Sequence, residues 1–161
     1  MYDRDDVPSE FRCPQRGLAE VKGILTAEQI NEPNRKDGEG ELIRRVIKRG
    51  MTSKTTVGGM TKLRTHVRHY LSLGPRDSIE VTILPHPDLP GPFSRGGDSG
   101  ALITDPFFRF VALLTSGSGM GNADLSDITY GTPFDWIWNL VKDEYPGAVL
   151  YFDDLTDFFK D

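Results

Sequence analysis

The residues best able to do chemistry stand in one glycine-rich stretch, FSRGGDSGALITD at 93–105. Its centre is Gly97-Asp98-Ser99-Gly100, where a serine hydroxyl sits between small and acidic neighbours. Such a hydroxyl becomes a nucleophile when an imidazole within hydrogen-bond reach takes its proton and a carboxylate orients that imidazole. The stretch therefore raises one question, which is whether this chain supplies a histidine for Ser99.

The sequence holds three histidines, His66, His69 and His86. His66 and His69 fall in a run typical of a strand, and because they are three residues apart they face opposite sides of the sheet. His86 is nearer to Ser99 in sequence, and its loop LPHPDLPG also carries Asp88. His86 is the best internal base, although nothing else in the pattern places a base there.

The elements around the serine are short β-rich runs broken by glycine and proline. In SIEVTIL, Ile79, Val81 and Ile83 alternate with Glu80 and Thr82, which predicts one buried face and one exposed face. No helical crossover separates the runs, so they predict an antiparallel meander that closes into a barrel or forms a sandwich. The runs are LIRRVIKRG, TTVGGMTKLRTHVRHYL, SIEVTIL, GALIT, FRFVALLTS and DITYGTP.

A single amphipathic helix is predicted after the last run. Its apolar positions recur at i, i+3, i+4 and i+7, with Thr132 as N-cap, Pro133 at N1 and Asp135 placed for a capping box. The positions are Phe134, Ile137, Trp138 and Val141. In the acidic tail, Leu155, Phe158 and Phe159 share one helical face, which indicates a frayed end, a short helix on the barrel or a partner-docking segment.

Three regions follow from composition along the chain. Residues 1–41 are a polar segment and linker, in which GLAEVKGILT is one possible strand. Residues 42–143 form the barrel with its closing helix, and 144–161 form the acidic tail. The boundary is predicted near residue 41.

Composition also limits the partners and the compartment. The net charge of -5 predicts no nucleic-acid partner, and no apolar window is long enough to span a membrane. The lone Cys13 makes neither an internal disulfide nor a zinc site, which favours a reducing, intracellular compartment such as the cytoplasm. No metal or cofactor is predicted.

Four motifs in order give the chain a resemblance to a known family. The region 42–142 resembles the second half of a chymotrypsin/trypsin-like serine peptidase, and most closely the intracellular fungal trypsin-like proteins. The resemblance implies a six-stranded antiparallel Greek-key barrel with a C-terminal helix, acting on a peptide or protein substrate. The motifs are VIKRGMTSKTTVG, FSRGGDSG, LTSGSG and TYGTP.

The same resemblance assigns roles to the loop. Ser99 is the nucleophile, the N–H groups of Gly97 and Ser99 form the oxyanion hole, and Asp98 turns inward to hold the loop. The substrate pocket is walled by Phe93 and Ser94 and by the strand end Thr115, Ser116 and Gly117. Phe93 stands where trypsin-like enzymes carry an acid, so no preference for lysine or arginine follows.

The histidine and aspartate of such enzymes come from an N-terminal barrel, and here no histidine precedes residue 66. One interpretation is a fragment, since GLAEVKGILTAEQINEP resembles the crossing between two barrels and the missing barrel would be a partner. An exposed apolar face and self-association would then be expected. The alternative is a non-catalytic pseudoprotease that binds peptides or partners. The isolated chain is expected to be inactive.

Overall fold

The structure, a computed structural model, describes residues 20–32, 35–36, 42–118 and 128–150, with the side chains at 35, 36, 42, 43, 69 and 71 excepted. Two helices and seven strands lie in these ranges. In chain order they are α1 (Ala27–Asn31), β1 (Arg35–Lys36), β2 (Leu42–Gly50), β3 (Lys54–Leu71), β4 (Gly74–Pro85), β5 (Leu102–Thr104), β6 (Phe110–Ser118), β7 (Ile128–Pro133) and α2 (Phe134–Glu144).

Six of the strands close into a barrel. The hydrogen-bonded order is β1-β2-β3-β4-β7-β6-β5, and β5 returns to pair with β2 through Ile47 with Thr104 and Lys48 with Ile103. All pairings between these strands are antiparallel. The chain runs β2 to β4 by hairpins and then crosses to place β5 beside β2, which is a Greek key. The predicted six-stranded barrel with a C-terminal helix is confirmed.

The barrel interior is filled by aliphatic side chains and one aromatic ring. Alternate residues of a strand face the same side, as Val81 and Ile83 of β4 and Ala112 and Leu114 of β6 do in this core. The buried members, from all parts of the described chain, are Leu25, Ile30, Val46, Met60, Val81, Ile83, Phe93, Ile103, Val111, Ala112 and Leu114.

The segment before the barrel belongs to the same core. Leu25 and Ile30 are buried in it, and the guanidinium of Arg44 in β2 donates hydrogen bonds to the backbone oxygens of Gln29 and Glu32 at the end of α1. The division predicted near residue 41 therefore does not separate two cores. In the described part of GLAEVKGILT, residues 20–26, the predicted strand reduces to one bridge, Ile24 with Phe110.

Strands β3 and β4 continue beyond the barrel as a two-stranded ribbon, paired from Arg64 with Val81 to Leu71 with Gly74. Val81 and Ile83 are buried as predicted, but Ile79 lies on the ribbon and is 53% exposed. The prediction that Ile79 joins the core is wrong, because no strand in the described part of the chain covers that face of the ribbon.

The face of β4 that was predicted to be exposed is buried at Glu80 and Thr82. Glu80 is 1% exposed and Thr82 is 6% exposed, although their alternation with apolar residues indicated a solvent face. Glu80 accepts hydrogen bonds from the hydroxyls of Thr115 in β6 and Thr132 in β7 at 3.3 and 3.2 Å. Neighbouring strands therefore bury a polar cluster there.

The closing helix α2 packs its predicted face on the barrel. Ile137, Trp138 and Val141 are half-buried, and the ring of Phe134 lies 4.4 Å from that of Phe110, centroid to centroid. The predicted cap is wrong by one residue: Pro133 is the N-cap, with no side-chain capping bond. The Thr132 hydroxyl is engaged by Glu80 instead.

Some predictions lie outside the described residues. These include the environment of Cys13 and the helical face of Leu155, Phe158 and Phe159. Within the described ranges, no helix has the length and apolar character needed to cross a membrane.

Candidate functional site

Ser99 lies on an exposed loop that connects β4 with β5. The loop re-enters the barrel immediately after the serine, because the Gly100 N–H donates to Leu114 O at 2.8 Å and the Leu114 N–H donates to Ala101 O at 3.0 Å. Ser99 itself is exposed, and its hydroxyl makes no hydrogen bond to any described residue. The side chain predicted to be the nucleophile is therefore presented to solvent from a fixed backbone.

Asp98 turns inward, and hydrogen bonds to its carboxylate come from two segments. Oδ1 accepts from the N–H groups of Thr52 and Ser53 at 2.8 and 3.1 Å, in the turn between β2 and β3. Oδ2 accepts from the Ser53 hydroxyl at 2.5 Å and from the Arg95 N–H at 3.0 Å. The side chain thereby ties its own loop to the turn between β2 and β3.

The remaining partner of Asp98 is a lysine. Lys48 Nζ lies 3.1 Å from Asp98 Oδ2, and both side chains are fully buried. Lys48 Nζ also donates to the Ser53 hydroxyl and lies 5.4 Å from the centroid of the Phe93 ring. A buried carboxylate requires charge compensation, and here a cation of the barrel itself provides it.

These contacts decide the protonation state of Asp98. Burial acts to raise the pKa of this carboxyl, but hydrogen bonds from Ser53, Arg95 and Thr52 outweigh it and hold the pKa far below its ordinary value. Burial lowers the pKa of the Lys48 ammonium, and the hydrogen bond and charge of Asp98 act against that change. The pair is an ionised carboxylate beside an ammonium.

The sequence contained a signal for Lys48 that the initial interpretation missed. Lys48 is two residues after Val46 in β2, so both side chains point to the same side of the strand. Val46 is in the core, so the side chain of Lys48 is directed to the interior as well. A buried ammonium requires an acidic partner that is also buried. The prediction placed Asp98 inward without a partner; the alternation in β2 marks Lys48 as a buried cation, whereas its pairing with Asp98 depends on the closure of β5 onto β2.

The backbone next to the serine has two free donors. The N–H groups of Asp98, Gly100 and Ala101 all donate to backbone oxygens, whereas within the described ranges those of Gly97 and Ser99 donate to none. Gly97 has φ +92°, a conformation suited to glycine. Among the described residues these two N–H groups have no acceptor, so they are available as donors, and their role in an oxyanion hole stays a prediction.

The predicted pocket walls divide into two groups. Phe93 and Ser94 are 1% and 3% exposed: the Phe93 ring is in the core, and the Ser94 hydroxyl lies 2.6 Å from that of Thr129. They therefore offer a ligand almost no surface, and the prediction that they line an open pocket is corrected. Ser116 is half-buried, while Thr115 and Gly117 are exposed on the end of β6 next to the serine loop.

None of the described histidine side chains makes a hydrogen bond to Ser99. His86 Nε2 lies 3.1 Å from the Arg45 guanidinium, and its Nδ1 accepts from the Asp88 N–H at 3.2 Å. Burial first, and the charge of Arg45 second, lower the pKa of His86. Arg45 lies five residues before Gly50, which contacts Asp98, and this separation along β2 is about 17 Å.

His66 is exposed on the projecting ribbon, paired across the strands with Ile79. Its position there separates it from the serine loop, which meets the barrel at the opposite end of β3, near Thr52 and Ser53. Across the described residues, histidine, cysteine and acidic side chains form no group of three that could hold a metal ion.

The matches of this chain to known proteins come from solved structures. No protein family and no curated protein sequence matches this chain. Twelve chains of solved structures match, and one of them is described as a glutamic acid specific serine protease that uses a novel histidine triad in substrate binding. That match has 17% sequence identity and a TM-score of 0.47, covering 89% of this chain and 62% of the solved one.

Proposed function

We propose that this chain carries the nucleophile half of a trypsin-like serine endopeptidase. Ser99 is the nucleophile, and the N–H groups of Gly97 and Ser99 are the oxyanion donors. The histidine base and its orienting acid come from a further barrel outside the described residues, in the same polypeptide or in another chain. The observation that carries the proposal is the exposed Ser99 hydroxyl next to two unpaired N–H groups, on a loop fixed by Asp98.

The reaction proposed for this arrangement is acyl transfer. Ser99 Oγ adds to the carbonyl carbon of a peptide bond, and its proton passes to the external imidazole, which then returns it to the leaving amine. The resulting ester is hydrolysed by water in the reverse order of steps. Each oxyanion donor contributes about 3 kcal/mol to the transition state, so both N–H groups must stay free in the resting loop.

The substrate backbone has a place to bind beside the serine. Strand β6 pairs with β7 as far as Ser118, but its pairing on the other side ends at Leu114, beside Gly100. Among the described residues, no strand pairs with the edge of β6 from Thr115 to Gly117 on the side of the serine loop. An extended peptide can add there as a further strand through backbone hydrogen bonds, which leaves the cleavage preference to its side chains.

Large apolar side chains are exposed on the ribbon and beside it, where Leu63, Tyr70 and Leu73 are 70%, 83% and 93% exposed. Such side chains favour burial against a partner. Because the ribbon lies away from the serine loop, the proposal places the histidine-bearing barrel at the loop face, where its imidazole reaches Ser99, and places self-association at the ribbon.

The direct test uses a fluorophosphonate, which an activated serine attacks at phosphorus with loss of fluoride. The full-length protein as its cells make it should be labelled at Ser99, located by peptide mass spectrometry, and the Ser99→Ala variant should not be labelled. An unlabelled, folded full-length protein would rule out the catalytic proposal.

A second candidate is favoured by the position of His86, which bonds to Arg45 and not to Ser99. In this alternative the chain is a pseudoprotease whose open β6 edge binds peptides without cleaving them. It predicts that Ser99→Ala leaves binding and biological activity intact. Loss of activity in that variant would count against it.

A further inference from the structure

We propose that Lys48 is the positioning residue of the serine loop: from strand β2 its ammonium fixes Asp98 and thereby sets the backbone of Gly97 and Ser99. The inference rests on the proposed function for what the loop does. It goes beyond that function in naming an internal cation as the group that shapes the loop.

Lys48 contacts both ends of the loop. Its Nζ lies 3.1 Å from Asp98, one residue before the nucleophile, and 5.4 Å from the ring centroid of Phe93, where the loop begins. The Ser53 hydroxyl completes the arrangement, since it accepts from Lys48 Nζ and donates to Asp98. Every described partner of the ammonium is therefore part of the loop or of the turn that holds it.

The burial of this pair makes the loop shape specific. Both side chains are 0% exposed, and a charge left alone in such a site is strongly disfavoured. A loop conformation that moves Asp98 outward would leave Lys48 buried without an acid, because no other described carboxylate bonds to it. The ion pair thus favours the one backbone path in which Asp98 points inward and Ser99 points outward.

Gly50 makes this path sterically possible. A Cβ at Gly50 would lie 2.3 Å from Asp98 Oδ1, so the carboxylate occupies space that exists only because that residue is glycine. Lys48 and Gly50 lie two residues apart on the same side of β2. Lys48 supplies the cation for Asp98, and Gly50 leaves the space that the carboxylate occupies. The VIKRG segment of β2 is therefore the part of the barrel that binds Asp98 of the GDSG loop.

The location of the cation has a functional consequence. Because Lys48 belongs to a barrel strand, the loop acquires its shape when the barrel folds, and the histidine-bearing half is not needed to order it. The proposed oxyanion donors are then preformed in this chain, and the histidine base and its orienting acid are what the further barrel adds.

Amide hydrogen exchange by NMR on the 161-residue chain tests the role of Lys48 without requiring catalysis. In Lys48→Met, which keeps the length of the side chain and removes its charge, the N–H groups of Thr52, Ser53, Arg95 and Asp98 should exchange about 100-fold faster, the scale expected for breaking a buried ion pair. Amides of the β4–β7 pairing should keep their protection. Lys54→Met is the matched control, since Lys54 is exposed and the described partner of its ammonium is Met51 O.

If Lys48→Met does not fold, the double variant Lys48→Met/Asp98→Asn tests the role of Lys48 instead, because it leaves no buried charge unpaired. The double variant should fold and still show fast exchange at Thr52, Ser53 and Arg95. Wild-type protection of these amides in either folded variant overturns the role of Lys48. A loop that responds as predicted, in a full-length protein that is not labelled at Ser99, would separate failure of the proposed function from failure of this inference.

Discussion

The hydroxyl of Thr52 occupies the space that a side chain at Gly97 would need. A Cβ at Gly97 would lie 2.6 Å from Thr52 Oγ1, and the same hydroxyl donates to Gly96 O at 2.8 Å. The turn after β2 therefore contacts the serine loop at its backbone as well as at Asp98. Because of this contact the residue before Asp98, which is one of the two proposed oxyanion donors, must be glycine.

Gly97→Ala should destabilise the chain and abolish reactivity of Ser99. Its φ of +92° is unfavourable for alanine and the Cβ clashes with Thr52, so the free energy of unfolding should fall by about 1–3 kcal/mol. Urea denaturation measures the loss. Gly96→Ala is the matched control, since a Cβ there meets nothing within 4 Å, and it should change stability by less than about 0.5 kcal/mol. Equal stability of the two variants would contradict the clash.

Asp98→Asn should reduce the acid sensitivity of the fold. The folded pKa of Asp98 lies below the unfolded value of about 3.9, so its stabilisation is complete above that value and is lost as the pH falls toward the folded pKa. Between pH 5 and pH 3, at about the range where an unfolded aspartate titrates, the wild-type free energy of unfolding should fall more steeply than that of the variant.

The same variant should be less stable at pH 7 by about 3 kcal/mol, because Lys48 is left without its carboxylate. Asp77→Asn serves as the control, since Asp77 pairs with Arg68 on the exposed ribbon, where both side chains are more than half exposed. Parallel pH profiles for wild type and Asp98→Asn would show that Asp98 is not the titrating group.

His86→Ala should leave fluorophosphonate labelling of Ser99 in the full-length protein unchanged. His86 is held by Arg45 and by the Asp88 N–H, away from the serine loop. The measurement is the labelling rate, normalised to folded protein by circular dichroism. A folded His86→Ala protein that loses labelling would instead identify His86 as the base and would remove the need for an external histidine.

Thr132→Val should destabilise the barrel through Glu80. The carboxylate of Glu80 is 1% exposed and accepts hydrogen bonds from the hydroxyls of Thr132 and Thr115. Removing one donor from a buried carboxylate costs about 1–3 kcal/mol, measurable as a lower urea midpoint. Thr55→Val, at an exposed position of β3, is the isosteric control and should differ little from wild type. If the urea midpoint of Thr132→Val equals that of the control, water replaces the hydrogen bond that Thr132 donates to Glu80, and the prediction is wrong.

The barrel was predictable because its strands carry their own signals. Glycine and proline mark the breaks between runs, and alternation in β4 correctly placed Val81 and Ile83 inside. The same alternation failed for Ile79 and Glu80. Whether a residue is covered depends on how far neighbouring strands extend, and the pairing of β4 with β7 ends at Val81.

The exposed loop that carries Ser99 was predictable from the resemblance of FSRGGDSG and its neighbouring motifs, whereas the residues that support the loop were not. The loop is held by residues about 45 to 50 positions earlier in sequence, in β2 and the turn after it. Such contacts depend on the closure of β5 onto β2, which no local pattern specifies. Phe93 was misjudged for a related reason: its ring fills the core because Gly58 has no side chain, where a Cβ would lie 2.7 Å from it.

The central claim is that Ser99 is a nucleophile on a preformed loop that needs only an external base. Fluorophosphonate labelling of the full-length protein, mapped to the residue, tests it most directly. The account predicts stoichiometric modification of Ser99 that is absent in Ser99→Ala and strongly reduced in Gly97→Ala, with Gly96→Ala labelled like wild type. A folded wild-type protein that stays unmodified, or one modified at another residue, would contradict it.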